Sequence, residues 1–167
     1  MIGNKIKLNN AEVRLAKFIG KKRYEGSRAA GVHNAKIGGQ SNEQTDQEGA
    51  GAEIAFCKLF NLYPDMNVEI KSAKKGTDKG DAILDGKAID VKSTTYKTGR
   101  LLAAKWKDPN SDIYAYALLT GELPNYTFRG FMKSENLLRE EMLRDLGKGE
   151  GYVAEQEDLV EWEDVEK

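Results

Sequence analysis

The stretch Gly80–Thr94, with the sequence GDAILDGKAIDVKST, contains two short apolar runs on either side of Asp85 and Gly86. An Asp-Gly pair between apolar runs is a strong local signal for a β-hairpin with a two-residue turn. Residues at equal distances from such a turn become cross-strand partners, so Ala82 is predicted to lie opposite Ile89. The chain is therefore expected to be organised around this hairpin.

The same pairing sets two carboxylates against each other. Asp81 and Asp90 stand at equal distances from the turn, and Lys92 shares their face because side chains alternate along a strand. Directly opposed like charges destabilise a strand pair, and a bound divalent cation is the simplest explanation for them. The other face is expected to pack on a core, and it is formed by Ala82, Leu84, Ile89 and Val91.

Composition sets the outer limits of the interpretation. The chain has 167 residues, of which 40% are hydrophobic and 32% charged, which is typical of one soluble globular domain spanning residues 1–167. A single cysteine, Cys57, excludes a disulfide framework and a multi-cysteine zinc site. The sequence has no apolar run long enough to span a membrane and no signal-peptide pattern, so a cytoplasmic location is expected.

The net charge of -1 conceals a strong segregation of charge along the chain. Residues 1–36 have nine Lys or Arg against two acids, residues 71–107 have ten against four, and residues 150–167 have eight acids against Lys167 alone. The interpretation is a basic helix-and-loop extension over 1–46, a second basic region, and an acidic C-terminal tail over 150–167. Basic regions of this kind suggest a polyanion as partner, although solvated faces that differ in charge are an equally good explanation.

Helical spacing of apolar residues predicts three helices. The first starts near Asn10, with Ala11, Leu15, Phe18 and Ile19 inward, and it is followed by a loop over 26–46. The second covers Gln47–Leu62, and Glu53 on it is either a rim residue or an inward-facing functional carboxylate. The third starts at Ser134 and ends at Gly147, with its leucines inward.

Extended segments account for most of the rest of the chain. Strands are predicted at Val68–Lys71, in the hairpin, at Ile113–Thr120 and at Tyr126–Met132, with a last short strand at Tyr152–Ala154. Two helices followed by mostly β-structure and a late helix indicate a mixed α/β or α+β fold.

The acidic residues and the lysine resemble the PD-(D/E)XK nuclease superfamily, in which a core helix bearing an acid precedes two strands bearing Asp and (Asp/Glu)-x-Lys. Here Glu53 precedes Asp81, which precedes Asp90-Val91-Lys92, although glycine rather than proline stands before Asp81. The resemblance covers roughly residues 47–132. Within it, the run Gly49–Ala55, Asp112–Tyr114 and Tyr126–Met132 look like small phage-encoded members of the superfamily.

The resemblance implies a restriction-endonuclease-like core with a central mixed β-sheet flanked by helices. It also implies Mg²⁺ or Mn²⁺ bound by Asp81, Asp90, Glu53 and the backbone carbonyl of Val91. Glu53, Asp81, Asp90 and Lys92 would be the catalytic set. Lys92 would orient or deprotonate the attacking water and stabilise charge on the phosphate.

Three functions are consistent with the sequence. The favoured one is a metal-dependent endonuclease acting on DNA rather than RNA, in a bacterial or phage-infected cell, and a homodimer is favoured if both strands of a duplex are cut. The others are a catalytically silent nuclease fold that binds DNA or serves assembly, and an interaction module for self-association. The candidate phosphate contacts are Arg23, Arg28, His33, Lys97 and Arg100.

Overall fold

The computed structural model describes residues 1–29, 42–68 and 80–167. In chain order its elements are β1 (Lys5–Lys7), α1 (Asn10–Ala29), α2 (Asn42–Phe60), β2 (Ala82–Leu84), β3 (Lys87–Thr94), β4 (Leu101–Ala104), β5 (Ile113–Glu122), β6 (Asn125–Lys133), α3 (Ser134–Leu137), β7 (Leu143–Asp145) and β8 (Glu150–Ala154). Short 3₁₀ turns cover Glu140–Met142, Gln156–Asp158 and Trp162–Asp164.

The strands within these ranges form two sheets. The larger sheet has the order β1-β6-β5-β3-β2, and the smaller has the order β4-β8-β7. In the larger sheet β3 and β5 run parallel, whereas the other neighbouring strands run antiparallel. The fold is therefore mixed α/β, as the sequence predicted.

The two faces of the larger sheet are covered by different layers. One face packs on α1 and α2 through a core that contains Ile19, Phe56, Ile89 and Phe128. The other face packs on the smaller sheet and on α3, and its core centres on Tyr116, Leu118, Leu101 and Leu137. The sheet thus has the two long helices on one side, and the smaller sheet with the short helix α3 on the other.

The predicted hairpin is present with the predicted register. β2 and β3 pair Ala82 with Ile89, Ile83 with Ala88 and Leu84 with Lys87. Asp85 and Gly86 have φ of 49° and 76°, and positive φ at both central residues is what a type I′ hairpin turn requires. The four apolar residues that were expected to face the core are buried.

The helices α1 and α2 are longer than predicted. α1 continues through residues 26–29 and α2 begins at Asn42, so the predicted loop over 26–46 was wrong at both ends. The buried residues of α1 are Ala16, Ile19 and Gly20, while Phe18 is 56% exposed. The predicted strand Val68–Lys71 lies outside the described residues except for Val68.

The predicted third helix was wrong beyond its first turn. Ser134–Leu137 is helical, but Leu138 (ψ 54°) and Arg139 (ψ 151°) leave the helical conformation. The chain then pairs Leu143 with Tyr152 in the smaller sheet. The leucine spacing had suggested a helix, but Leu137 and Leu138 enter the core one after the other, and pairing with β8 takes up the following backbone.

The acidic segment over 150–167 is folded onto the rest of the chain. It begins with β8, which confirms the predicted last strand, and Leu159 and Val165 are buried. Val160 and Phe131 exchange backbone hydrogen bonds of 2.9 and 2.8 Å. Within the described residues, no helix has the length and apolar character needed to cross a membrane.

Candidate functional site

Asp90 is a buried carboxylate held between two ammonium groups. It is 4% exposed and lies on β3. Lys92 Nζ is 2.8 Å from Asp90 Oδ1, and Lys107 Nζ is 3.1 Å from Asp90 Oδ2. Each carboxylate oxygen therefore has a charged partner.

Strand alternation and one turn bring these three side chains together. Asp90 and Lys92 are two residues apart on β3, so they share the face that β5 extends with Tyr116. Lys92 Nζ lies 6.0 Å from the Tyr116 ring centroid. Lys107 arrives from the turn that follows β4, in which its backbone N–H donates to the carbonyl of Ala104 at 2.9 Å.

The two lysines differ in their access to solvent. The side chain of Lys107 is 11% exposed and that of Lys92 is 31% exposed. A molecule that approaches Asp90 from solvent therefore meets Lys92 more readily than Lys107.

The mutual pairing fixes the charge states of Asp90 and Lys92. Burial alone would raise the pKa of Asp90, but the charges of Lys92 and Lys107 outweigh it and lower that pKa. Burial alone would lower the pKa of Lys92, but the carboxylate of Asp90 outweighs it and raises that pKa. At neutral pH Asp90 is therefore ionised and Lys92 is a cation.

Asp81 lies against the same segment of β3, although not as a regular ladder partner. The ladder of β2 ends at Ala82. Asp81 N–H donates to the carbonyl of Ile89 at 2.8 Å, and Asp81 Oδ2 accepts the N–H of Val91 at 2.8 Å. The Asp81 carboxylate therefore stands beside the backbone between Asp90 and Lys92.

Gly80 sets the direction from which Asp81 approaches. Its φ is +78°, and a Cβ built there would lie 2.7 Å from the carbonyl oxygen of Ile89. Proline, with φ fixed near -65°, cannot adopt this conformation. Glycine therefore suits the position before Asp81, and proline does not.

Glu53 and Arg23 form a second ion pair, between α2 and α1. Arg23 Nη1 lies 3.1 and 2.9 Å from the two carboxylate oxygens of Glu53. Arg23 also donates to the backbone carbonyls of Asp65 and Asn67. Burial would lower the pKa of Arg23, but Glu53 outweighs it, and the charge of Asp81 also raises that pKa.

Asp81 connects the two ion pairs electrostatically. Its charge acts on Arg23 and also raises the pKa of Lys92. The structure thus brings Asp81, Asp90 and Lys92 together with Lys107, and it places Glu53 with Arg23 within electrostatic range of Asp81.

Where the structure describes them, the other predicted phosphate contacts interact with groups other than Asp90. Arg28 stands 5.4 Å from the Tyr24 ring centroid in the last turn of α1. Arg100 pairs with Glu155 at 2.7 Å. Lys97 is exposed, and its backbone carbonyl accepts a hydrogen bond from Gln156. His33 lies outside the described residues.

The donor chemistry at Asp81 and Asp90 is compatible with a small divalent cation. Mg²⁺ keeps several waters and uses one or two protein carboxylates, and these two residues supply hard oxygen atoms from adjacent chain segments. Over residues 1–29, 42–68 and 80–167, no cluster of three or more His, Cys, Asp or Glu forms a metal site. A cation at Asp90 would also have to replace an ammonium group there.

The contact between Lys107 and Asp90 was not apparent from the sequence. Lys107 belongs to the basic region over 71–107, but its contact with Asp90 bridges a separation of 17 residues and depends on β4, which was not predicted.

Cys57 is not a candidate nucleophile, because burial raises the pKa of its thiol to about 12.

A family model described as "Family of unknown function (DUF5843)" matches residues 1–166. The chain belongs to this family. No curated protein and no solved structure matches the chain. The DUF5843 match includes both sheets, so Asp90 and its two lysines lie inside the family domain.

Proposed function

We propose that this DUF5843 protein is a metal-dependent nuclease that hydrolyses phosphodiester bonds in DNA as an endonuclease. The observation that carries the proposal is the placement of Asp81 against Asp90-Val91-Lys92. The Asp81 carboxylate is 2.8 Å from the N–H of Val91, and Lys92 Nζ is 2.8 Å from Asp90. Asp90 and Lys92 on a central strand thus have the carboxylate of Asp81 against the backbone between them.

The order of elements supports a PD-(D/E)XK type of core. α2 carries Glu53, the antiparallel pair β2 and β3 follows, and β5 lies parallel to β3. This is the arrangement of a core helix, two strands with the acidic residues, and a further strand in a mixed sheet.

The roles proposed for the side chains follow from their charge and exposure. Asp90 is ionised, and together with Asp81 and the Val91 carbonyl it would hold Mg²⁺ or Mn²⁺. The bound ion would supply acidification of water and a Lewis-acid contact to the phosphate. Lys92 is a partly exposed cation, so it would donate to the phosphate oxygens as negative charge develops there. The raised pKa of Lys92 keeps its ammonium group protonated, which favours this role over that of a general base.

A second candidate function is a silent nuclease fold that binds DNA without cutting it. The specific observation in its favour is that the carboxylates of Asp90 and Glu53 already have lysine or arginine partners. Asp90 accepts from two lysines, and both oxygens of Glu53 contact Arg23. A nuclease that had lost its metal could keep a buried carboxylate stable in this way.

The two functions are separated by a cleavage assay. Supercoiled plasmid, linear duplex and branched DNA are incubated with the protein, with Mg²⁺, with Mn²⁺ and with EDTA. A nuclease is expected to cut in the presence of metal and to lose cutting in Asp90→Asn and in Lys92→Met. Binding of the same DNA without cutting in any condition would support the silent fold instead.

The assay needs a control for charge and one for folding. Lys167→Met removes an exposed lysine that pairs with Asp164 at the surface, away from Asp90, so it is expected to keep its activity. Circular dichroism and DNA binding of Asp90→Asn show whether its loss of cutting reflects unfolding. Cutting that persists in both Asp90→Asn and Lys92→Met would overturn the proposed site.

A further inference from the structure

Trp106 is a large aromatic side chain at the tip of the turn that follows β4. The turn is closed by the hydrogen bond from Lys107 N–H to the Ala104 carbonyl, and Trp106 is 66% exposed. Single exposed aromatic residues are common on protein surfaces, so exposure alone decides nothing. The position of the ring is what decides its interpretation.

The ring stands next to the candidate site. Lys107 Nζ lies 5.1 Å from the Trp106 ring centroid and 3.1 Å from Asp90 Oδ2, which places the centroid no farther than 8.2 Å from that oxygen. One ammonium group therefore touches both the aromatic face and the buried carboxylate. A ligand that contacts Lys107 has the indole within reach.

The surroundings of the ring favour a ligand that is both aromatic and anionic. Along the chain Trp106 lies between Lys105 and Lys107, and Lys105 is itself more than half exposed. These ammonium groups pair with Glu150 and Asp90, and an apolar peptide would bring no negative charge to compete for them. A nucleotide brings a flat π-face for the indole and a phosphate for the lysines.

We infer that Trp106 is a stacking platform for an unpaired nucleobase beside the Asp90 site. Stacking needs an open base face, and in a continuous duplex both faces of each base are covered by neighbouring bases. The nucleic acid at this point is therefore single-stranded, as in a free strand, an end or a flap. The inference rests on the proposed function for the class of ligand, but it does not depend on hydrolysis.

Fluorescence anisotropy in EDTA at low salt tests the inference without any cutting. The probes are a labelled twelve-nucleotide thymidine strand and a labelled blunt duplex of twelve base pairs that has no loop. The wild-type protein is expected to bind the single strand more tightly. Trp106→Ala is expected to weaken that binding roughly 5- to 150-fold, since stacking on an aromatic side chain contributes about 1–3 kcal/mol per base.

Matched variants separate stacking from apolar contact. Trp106→Phe keeps an aromatic face and is expected to retain most of the affinity, whereas Trp106→Leu is expected to behave like Trp106→Ala. Phe18→Ala removes another exposed aromatic residue, which has Lys22 Nζ 5.8 Å from its ring centroid, and it is expected to leave binding unchanged.

The outcomes distinguish the inference from the proposed function. Single-strand binding that depends on Trp106, with no metal-dependent cutting, keeps the inference and overturns the nuclease. Cutting with equal single-strand affinity in the wild type and Trp106→Ala overturns the inference and keeps the nuclease. Equal affinity for the single strand and the duplex, or an equal loss in Phe18→Ala, also overturns the inference.

Discussion

Asp90 is a costly residue to bury, and its neighbours show how that cost is offset. Moving a carboxylate out of water costs several kcal/mol even after relaxation. Lys92 and Lys107 each contact one of its oxygens, so the three side chains together carry one net positive charge. The net positive charge of this cluster favours an incoming phosphate and disfavours any further cation, such as a metal ion.

Lys107 is therefore expected to compete with a divalent cation for Asp90. In Lys107→Met the ammonium group is removed while Asp90 keeps Lys92 as its partner. We expect Mn²⁺ to bind about tenfold more tightly, a small part of the Coulomb energy between unit charges at this separation. Electron paramagnetic resonance of free Mn²⁺ measures this at constant pH.

The matched control for this variant is Lys105→Met. Lys105 belongs to the same turn, but its ammonium group pairs with Glu150 at the surface. It is expected to leave Mn²⁺ affinity unchanged within about twofold, because exposed charges are screened by solvent and salt. Equal gains in both variants would mean that general charge, and not displacement from Asp90, controls the affinity.

Gly80 is expected to tolerate no side chain. Gly80→Ala forces a residue with a Cβ into a left-handed conformation, at a cost of about 1–2 kcal/mol before the contact with Ile89 is counted. Gly49→Ala is the matched control, since a Cβ there meets nothing within 4 Å in α2. Helix propensity predicts that this control gains about 0.5–1 kcal/mol. Urea denaturation of both variants measures the difference, and a stable Gly80→Ala would contradict it.

The grouping of site residues could be predicted only where it was local. Asp90 and Lys92 share a face because they are two residues apart, whereas Asp81 lies beyond the end of the hairpin ladder and contacts the β3 backbone. The contacts of Lys107 with Asp90 and of Arg23 with Glu53 join distant parts of the chain. No period or short-range spacing encodes them, since they depend on how separate elements pack.

At the scale of elements, Glu48 joins α2 to the turn between β5 and β6. Its Oε2 accepts the N–H of Leu123 and the hydroxyl of Tyr126, both at 2.9 Å. Burial raises the pKa of Glu48 above its ordinary value, although these hydrogen bonds oppose the shift. The folded state therefore holds this proton more tightly than the unfolded chain does.

Stability from Glu48 is accordingly present at low pH and is lost as pH rises through its folded pKa. In Glu48→Gln the amide oxygen can still accept both hydrogen bonds, and the charge is absent. We expect the free energy of unfolding of Glu48→Gln, relative to wild type, to increase as pH rises above about 4.5 and then to level off. Urea titrations from pH 4 to pH 8 measure this, and a difference that stays constant with pH would contradict it.

The elements also differ in how far local sequence determined them. The hairpin could be predicted between Ala82 and Ile89, because a two-residue turn fixes register and the side-chain period then fixes the faces. The predicted pairing of Asp81 with Asp90 was wrong, since the ladder ends at Ala82. The segment after Leu137 could not, because its leucines satisfy a helical period while tertiary pairing with β8 determines the backbone. β4 is only four residues long and gave no recognisable alternation.

The C-terminal segment links the turn of the β2–β3 hairpin to the core through Trp162. Trp162 Nε1 donates to Asp85 Oδ2 at 2.6 Å, and the indole ring packs 5.2 Å from the Phe131 ring centroid. Trp162→Phe is expected to lose about 1 kcal/mol of stability with the hydrogen bond. Trp162→Ala is expected to lose about 3 kcal/mol, because the ring packing is also removed.

Asp85→Asn is the conservative control at the acceptor end of this hydrogen bond. Asparagine suits a type I′ turn and keeps an oxygen acceptor, so stability is expected to change by less than about 0.5 kcal/mol. Chemical denaturation measures all three variants. Equal stability of Trp162→Phe and wild type would show that the contact with Asp85 contributes nothing.

Across the whole molecule, the segregated charges are largely folded against each other. Glu155 pairs with Arg100 at 2.7 Å and with Arg144 at 3.4 Å, Glu150 pairs with Lys105, and Glu166 pairs with Lys133. The acidic segment is thus an internal counterion for basic residues, Arg100 among them, that were expected to contact phosphate. A polyanion would have to compete with these carboxylates.

Release of two arginines by Glu155→Gln is therefore expected to strengthen DNA binding. The gain should be at least about threefold at 50 mM salt, and the slope of log affinity against log salt should steepen by about one for each of the two arginines that gains a phosphate contact. Glu157→Gln is the control, because it removes the same charge from an exposed position in the same segment. Anisotropy titrations at several salt concentrations measure both variants. If Glu157→Gln gains as much as Glu155→Gln, net charge alone explains the effect and the pairing with Arg100 and Arg144 does not restrain DNA binding.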